Sequence, residues 1–268
     1  MPLLTTQQLN RLYDAFRDTE VTFNSQVIAA SGLMPADIHL KVADQHLPCV
    51  LYSCSLRGAR VVADVGDKTI APHLQVNSML SLRLSFRPPD EPAPLAFFVS
   101  CRVHSLTEYN PQKPQVQFVT LEFAQRPSDA LIGILGSMLE LHTNSVRRKD
   151  ERIVITPETM RIIGLDSKES CVAIGGAPRR CLVRDLSFGG AKILVTGVEE
   201  PQEEKSVLLK LAKCELKDDM VLNGNIVRVE EVAGRKDVVA LSIQFSSDPP
   251  ISYKQKINGY FAAQSTAR

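Results

Sequence analysis

The sequence predicts a mainly β protein built as two tandem small β-barrels, each followed by a C-terminal helix. Three observations carry that expectation. Short runs of alternating apolar and polar residues recur along both halves, separated by turns rich in Pro, Gly and Asn. Each set of runs ends in a segment with helical apolar spacing, at 128–142 and at 251–263. The halves also share matches in one order. Ser55, Gly58, Ala59, Arg60 and Val61 correspond to Ser187, Gly190, Ala191, Lys192 and Ile193. Leu121-Glu122-Phe123 corresponds to Ile243-Gln244-Phe245, and residues 78–84 resemble 206–211. A repeat after roughly 120–130 residues implies duplication of one domain.

In chain order, residues 5–18 read as an amphipathic helix. Leu9, Leu12, Tyr13 and Phe16 fall at three- and four-residue steps, and Thr5 or Thr6 can cap it. Strands follow at 38–42, 47–54, 58–65, 79–86, 95–106 and 115–123. A proline-rich loop at 87–94 and a turn at 110–114 interrupt them. Ser128 can cap a helix over 128–142, whose Gly133 and Gly136 lower its propensity. Residues 144–152 are a short polar joint. Thr156-Pro157-Glu158 is a helix start, with proline at the first helical position. Strands return at 170–175, 179–185, 190–196, 205–213, 219–231 and 236–246. Pro249-Pro250 breaks the sheet before the closing helix. The expected domains are therefore 1–143, a hinge at 144–152, and 153–268.

Composition narrows the function classes. Lys plus Arg number 31 against 30 Asp plus Glu, a formal net charge of +1, so no domain-wide basic footprint for nucleic acid is present. No apolar run reaches the length of a membrane span, and the N-terminus lacks the basic and apolar regions of a signal peptide. A cytoplasmic location is expected. Cys49, Cys54, Cys101, Cys171, Cys181 and Cys214 are scattered, mostly within strand-like runs, as buried reduced thiols would be. His46, Cys49 and Cys54 fit no standard zinc spacing, so no metal site is expected. The sequence shows no Ser/His/Asp set, no paired histidines and no phosphate loop, and His104 and His142 are isolated. A non-enzymatic protein without a cofactor is expected.

The chemistry concentrates in 144–190. Arg147, Arg148, Lys149 and Arg152 form a dense cationic run, and Asp185, Ser187, Gly189 and Gly190 form a tight turn between apolar runs. Arginine offers a planar fork that matches phosphate oxygens and also stacks on flat rings. An ionised aspartate accepts N–H donors, and a serine hydroxyl donates or accepts. The two glycines are expected to permit positive φ and close approach of a ligand to the main chain. An anionic, flat ligand rich in N–H donors would use all of these, and a guanine nucleotide has that description.

Arg148-xxx-Arg152 followed by Asp185-x-Ser187-xx-Gly190 resembles the paired RxxxR and [DN]xSxxG motifs of the PilZ domain, a receptor for the bacterial second messenger cyclic di-GMP. The resemblance covers about residues 144–263. It implies that Arg148 and Arg152 grip phosphates and guanine edges. It implies that Asp185 accepts from a guanine, while Ser187, Gly189 and Gly190 shape and line the turn. Arg147 occupies the preceding position, which is implicated in whether one ligand or an intercalated pair binds. The first half has Ser53 where Asp185 would stand and no RxxxR, so the resemblance extends to two-domain receptors with a degenerate, non-binding first domain.

A mechanism follows as an expectation. Without an anion the cations of 144–152 repel one another and stay solvated and mobile. Ligand neutralises them, pins the joint onto the turn, reorients the two barrels, and a protein partner in motility or virulence reads the change. The alternative is a nucleic-acid-binding protein using the same basic joint. It lacks an aromatic stacking face, having no Trp and 5 Tyr. A monomer is expected.

Overall fold

The computed structural model describes residues 4–88, 92–196, 205–213, 220–246 and 248–266. Cys214 and part of the proline-rich loop lie outside the described residues. The chain forms two compact units, residues 1–142 and 143–268.

The first unit opens with α1 (Thr6–Phe16). Thr5 caps it: its hydroxyl accepts from the Gln8 amide, and the Gln8 side chain answers to the Thr5 amide. β1 (Val21–Thr22) and α2 (Ser25–Ser31) follow, capped by Asn24 and closed by Gly32 in the left-handed region. The strand pattern did not reveal either element, since two residues hold no alternation and seven hold barely two helical turns. The barrel strands are β2 (His39–Val42), β3 (Gln45–Cys54), β4 (Gly58–Asp64), β5 (Met79–Phe86), β6 (Leu95–Glu108) and β7 (Val116–Phe123). They run in the order β3-β2-β5-β6-β7-β4, and β3–β4 pairing closes the ring, with β1 added at the end of β3. Alternation sends Leu40, Val61, Leu82, Leu84, Val103 and Val119 fully inside. α3 (Asp129–Arg147) follows. Gly136 has a packing reason. A Cβ there would lie 3.2 Å from Leu12 Cβ, so glycine lets α1 sit close against α3.

The second unit repeats this plan. β8 (Ile153–Val154) and α4 (Pro157–Ile163) precede β9 (Leu165–Ile174), β10 (Ala177–Leu186), β11 (Gly190–Thr196), β12 (Ser206–Lys213), β13 (Met220–Val232) and β14 (Arg235–Phe245). The order is β10-β9-β12-β13-β14-β11, closed by β10–β11, with β8 added to β10. Each strand thus has its counterpart in the first barrel, and α5 (Ile251–Thr266) ends the unit as α3 follows the first. The register agrees to the residue. β3–β4 and β10–β11 carry a bulge at the same place, between Leu51 and Ser53 and between Val183 and Asp185. Duplication of one six-stranded barrel is the simplest account.

The predicted helix over 128–142 is longer than expected, running to Arg147. Nothing in residues 143–147 breaks a helix: no proline or glycine occurs there, and the Arg148 amide donates to the Asn144 carbonyl at 2.9 Å. The described cysteines are all free. Cys49, Cys54, Cys101 and Cys181 are buried and Cys171 is half-buried. Among the described residues, no helix is long and apolar enough to cross a membrane, and no cluster of metal-ligating side chains occurs.

Candidate functional site

The site forms where β8, β10 and the turn from β10 to β11 meet. β8 pairs with the end of β10, Asp185 opposite Val154 and Leu186 opposite Ile153. That pairing carries Arg152, one residue before β8, to Asp185. The two side chains form an ion pair across 33 residues of sequence. The bulge before Asp185 re-aims its carboxylate out of the barrel wall, where its side chain is 16% exposed against 45% for Arg152.

Arg148 follows the last turn of α3. Its guanidinium lies 4.8 Å from the centre of the Phe261 ring, and it reaches Glu151 at 3.4 Å. A guanidinium laid on an aromatic face keeps its N–H edges available in the ring plane. Arg147, at the end of α3, is exposed.

Ser187, Gly189 and Gly190 form the turn itself. The Ser187 amide donates to the Gly190 carbonyl at 2.8 Å, and the buried Ser187 hydroxyl donates to the same oxygen at 3.3 Å. The Ser187 carbonyl accepts from the Tyr253 hydroxyl at 2.7 Å. Burial, with the Asp185 charge added, raises the Tyr253 phenol above its ordinary range, so it stays a donor. Gly189 donates to the Lys149 carbonyl at 2.9 Å and accepts from the Phe245 amide at 2.9 Å. Lys149 is therefore tied to the turn by main-chain contact.

Two expectations are corrected here. Neither Gly189 nor Gly190 has positive φ; the left-handed glycines lie elsewhere. Gly190 is required instead by closeness, since a Cβ there would drive into the Ile243 carbonyl oxygen of the neighbouring strand. A Cβ on Gly189 would meet Lys149 Cγ at 3.0 Å. The second correction concerns the free, mutually repelling cations. Arg152 is held by Asp185, and Arg148 by Glu151 and Phe261. Carboxylates therefore partner two of the run's four cations without an added anion.

Sequence reasoning missed Glu151, Tyr253 and Phe261, and named Lys149 only for its charge. Glu151 was legible, three residues after Arg148. Tyr253 and Phe261 were not, because as apolar helix positions they look like any core residue. They act by packing α5 behind the turn: Phe188 stacks on Phe261 at 6.1 Å, and Phe245 meets Tyr253 edge-on at 5.7 Å.

The first barrel keeps the turn and changes the side chains around it. The Ser55 amide donates to the Gly58 carbonyl at 2.8 Å and its hydroxyl to the same oxygen at 3.3 Å, as at Ser187. A Cβ on Gly58 would likewise drive into the Leu121 carbonyl oxygen. But Ser53 stands at the strand position of Asp185, and Glu20, just before β1, stands at that of Arg152. The two are joined by a hydrogen bond from the Ser53 hydroxyl to the Glu20 carboxylate. An arginine–aspartate pair has become an acid with a neutral donor.

Residues 7–142 match the family model of the PilZN3 domain and residues 147–263 that of the PilZ domain. A "Cyclic di-GMP binding protein" of Treponema denticola is 35% identical over 263 residues, covering 98% of this chain and 84% of that one. Among solved structures, the PlzA protein of Borreliella burgdorferi in complex with c-di-GMP is 22% identical. The match covers 96% of this chain and 100% of that chain, with a TM-score of 0.43. YcgR from Escherichia coli in complex with c-di-GMP is 14% identical over 98% of this chain and 92% of that chain, with a TM-score of 0.29.

Proposed function

We propose, from the premise that this chain belongs to the PilZ family, with a PilZN3 domain before its PilZ domain, that it is a non-enzymatic receptor for cyclic di-GMP. The observation that carries the reading is the convergence of Arg148, Arg152, Asp185 and the Ser187–Gly190 turn on one edge of the second barrel. The Treponema denticola relative bears the same ligand in its name.

Roles follow from the chemistry. Arg148 and Arg152 present forks to phosphates and guanine edges, and Asp185 accepts from guanine N–H groups. Ser187, Gly189 and Gly190 keep the turn tight and open to an approaching base. Arg147, exposed at the end of α3, joins Arg148 on the ligand in this reading. Binding exchanges internal carboxylate partners for ligand ones: Arg152 leaves or shares Asp185, and Arg148 leaves Glu151. Each charge-assisted hydrogen bond contributes roughly 1.5–3 kcal/mol net. Several of them, less the internal pairs given up, reach a micromolar Kd at about −8 kcal/mol.

Residues 144–152 act in this reading as the joint between domains 1–143 and 153–268. Re-partnering Arg148 and Arg152 within that joint changes the relative orientation of the domains, and a protein partner in motility or virulence control reads the new surface. Calorimetry with cyclic di-GMP, beside cyclic di-AMP and GTP, tests the binding. Affinity for cyclic di-GMP alone supports it, and native-like affinity in Arg148→Ala, Arg152→Ala and Asp185→Ala together would reject it. Small-angle scattering tests the coupling, and identical profiles with and without saturating ligand would reject that part alone.

A further inference from the structure

The first barrel holds a cavity of about 430 Å³ on the edge that corresponds to the ligand site of the second. Arg60 borders it, half-buried, with its guanidinium 4.0 Å from the centre of the Phe118 ring and 5.8 Å from that of Tyr52. Its Nε is buried with no hydrogen-bond partner among the described residues. Arg83 also has a buried, unmatched Nε but does not line this cavity. A buried guanidinium N–H without a partner is costly, so it calls for an acceptor.

The duplicated register says which acceptor. Arg60 pairs with Ser53 across β3–β4 as Lys192 pairs with Asp185 across β10–β11. Lys192 is not orphaned: its ammonium forms an ion pair with Glu230, whose carboxyl it holds below the usual range. Glu230 faces Ala240 across β13–β14, and the matching pair in the first barrel is Thr107 facing Phe118. The first barrel has therefore replaced the acid by a threonine and the small alanine by an aromatic platform, while keeping the cation.

We propose that Arg60, at the border of this cavity, and the aromatic face beside it form a carboxylate-binding site, which takes a singly charged acid attached to an apolar or aromatic group. The incoming carboxylate stands where Glu230 stands in the second barrel. The apolar group lies beside the cavity, against the Phe118 ring under Arg60 and the Tyr52 and Tyr109 rings that meet it edge-on at 5.0 Å and stay exposed. The other cations of the cavity are already matched: Arg17 to Asp18 at 3.4 Å, and Arg57 to Asp18 at 3.1 Å and to Glu122 at 3.7 Å. With Glu20 also on its wall, the cavity repels a polyanion but leaves one fork for one carboxylate. The acid can be a free small molecule or an acidic side chain of a partner protein.

The test uses the full chain labelled with 15N-arginine, with Arg60→Gln identifying the Arg60 Nε–H signal. Two probes are titrated: phenylacetate, and acetyl-Leu-Asp-Phe-amide as an acidic apolar segment. A saturable shift of the Arg60 signal is expected, with affinity falling about tenfold or more in Arg60→Gln. The double variant Thr107→Glu/Phe118→Ala rebuilds the arrangement of Glu230 and Ala240 and should lose the response while keeping the barrel fold and cyclic di-GMP binding. Response to the peptide alone assigns the site to a protein partner, and response to phenylacetate alone assigns it to a free acid. No saturable shift with either probe, tighter binding of inorganic phosphate, or unchanged affinity in Arg60→Gln or in the rebuilt variant would overturn the proposal.

Discussion

The duplicated turn permits a matched pair of perturbations, Gly58→Ala and Gly190→Ala. A Cβ at either position would drive into a carbonyl oxygen, of Leu121 or Ile243, far inside an ordinary C···O contact of about 3.3 Å. Neither glycine can rotate the new methyl away, and both obstacles are main chain within a paired ladder, Gly58 opposite Glu122 and Gly190 opposite Gln244. Relief requires the strands to separate locally, so the cost falls at the upper end of overpacking, about 3 kcal/mol. The units contain 142 and 268 − 142 = 126 residues. For that size each kcal/mol lowers Tm by roughly 3–5 °C, so each variant should lose about 10 °C in the transition of its own barrel. Differential scanning calorimetry resolves this, and titration with cyclic di-GMP well below both transitions adds the functional half. Gly190→Ala should weaken binding and Gly58→Ala should not. A transition within 2 °C of the parent in either variant would refute the close-approach argument. Binding lost in Gly58→Ala but kept in Gly190→Ala would refute the location of the site.

Further outcomes follow from single contacts. Arg152→Ala and Asp185→Ala should each weaken cyclic di-GMP binding by roughly 10–100-fold, from lost charge-assisted bonds, while the partly exposed pair contributes under about 1 kcal/mol to folding; calorimetry and thermal melts separate the two. Phe261→Leu removes the ring under Arg148 and should reduce affinity severalfold, about 0.5–1 kcal/mol, measured by the same titration. Tyr253→Phe leaves the buried Ser187 carbonyl without its donor and should cost about 1–3 kcal/mol in urea unfolding. Burial pushes the Cys49 and Cys101 thiols up to about 12. Raised folded values mean stability is intact below the unfolded thiol range near 8.5 and is lost as pH rises toward 12. The urea midpoint of the first unit should therefore be unaffected by these thiols up to pH 8 and fall above 9.

The barrels were legible because period-two alternation writes the inward face directly into the chain, as at Leu80, Leu82 and Leu84 of β5. The motif residues were legible because arginines clustered within six positions and an acid–hydroxyl–glycine turn are rare together. What escaped depends on contacts made through space. β8 is two residues long, yet its pairing with β10 is what brings Arg152 to Asp185. Gly190 was recognised as necessary for the wrong reason, because sequence shows that a position is glycine but not whether φ or a neighbouring carbonyl demands it. The cations were expected to repel because their number was visible and their partners were not. Asp185 lies 33 residues away from Arg152 and Phe261 more than a hundred from Arg148.

The two barrels together separate scaffold from chemistry. The serine–glycine turn, the bulge and the close strand approach recur in both, with hydrogen bonds of equal length at Ser55 and Ser187. These features belong to the way the barrel closes and cannot by themselves select a ligand. Selection must reside in what differs at matched positions: Glu20 against Arg152, Ser53 against Asp185, and Thr107 against Glu230. At the first two, the change removes the cation and the carboxylate to which the proposed function gives the phosphate and the guanine edge. At the third, it removes an internal acid and leaves Arg60 without a partner. If, as proposed, these exchanges close the first barrel to a dinucleotide and open it to a carboxylate, the Arg60 and Arg152 variants should fail independently, each in its own assay.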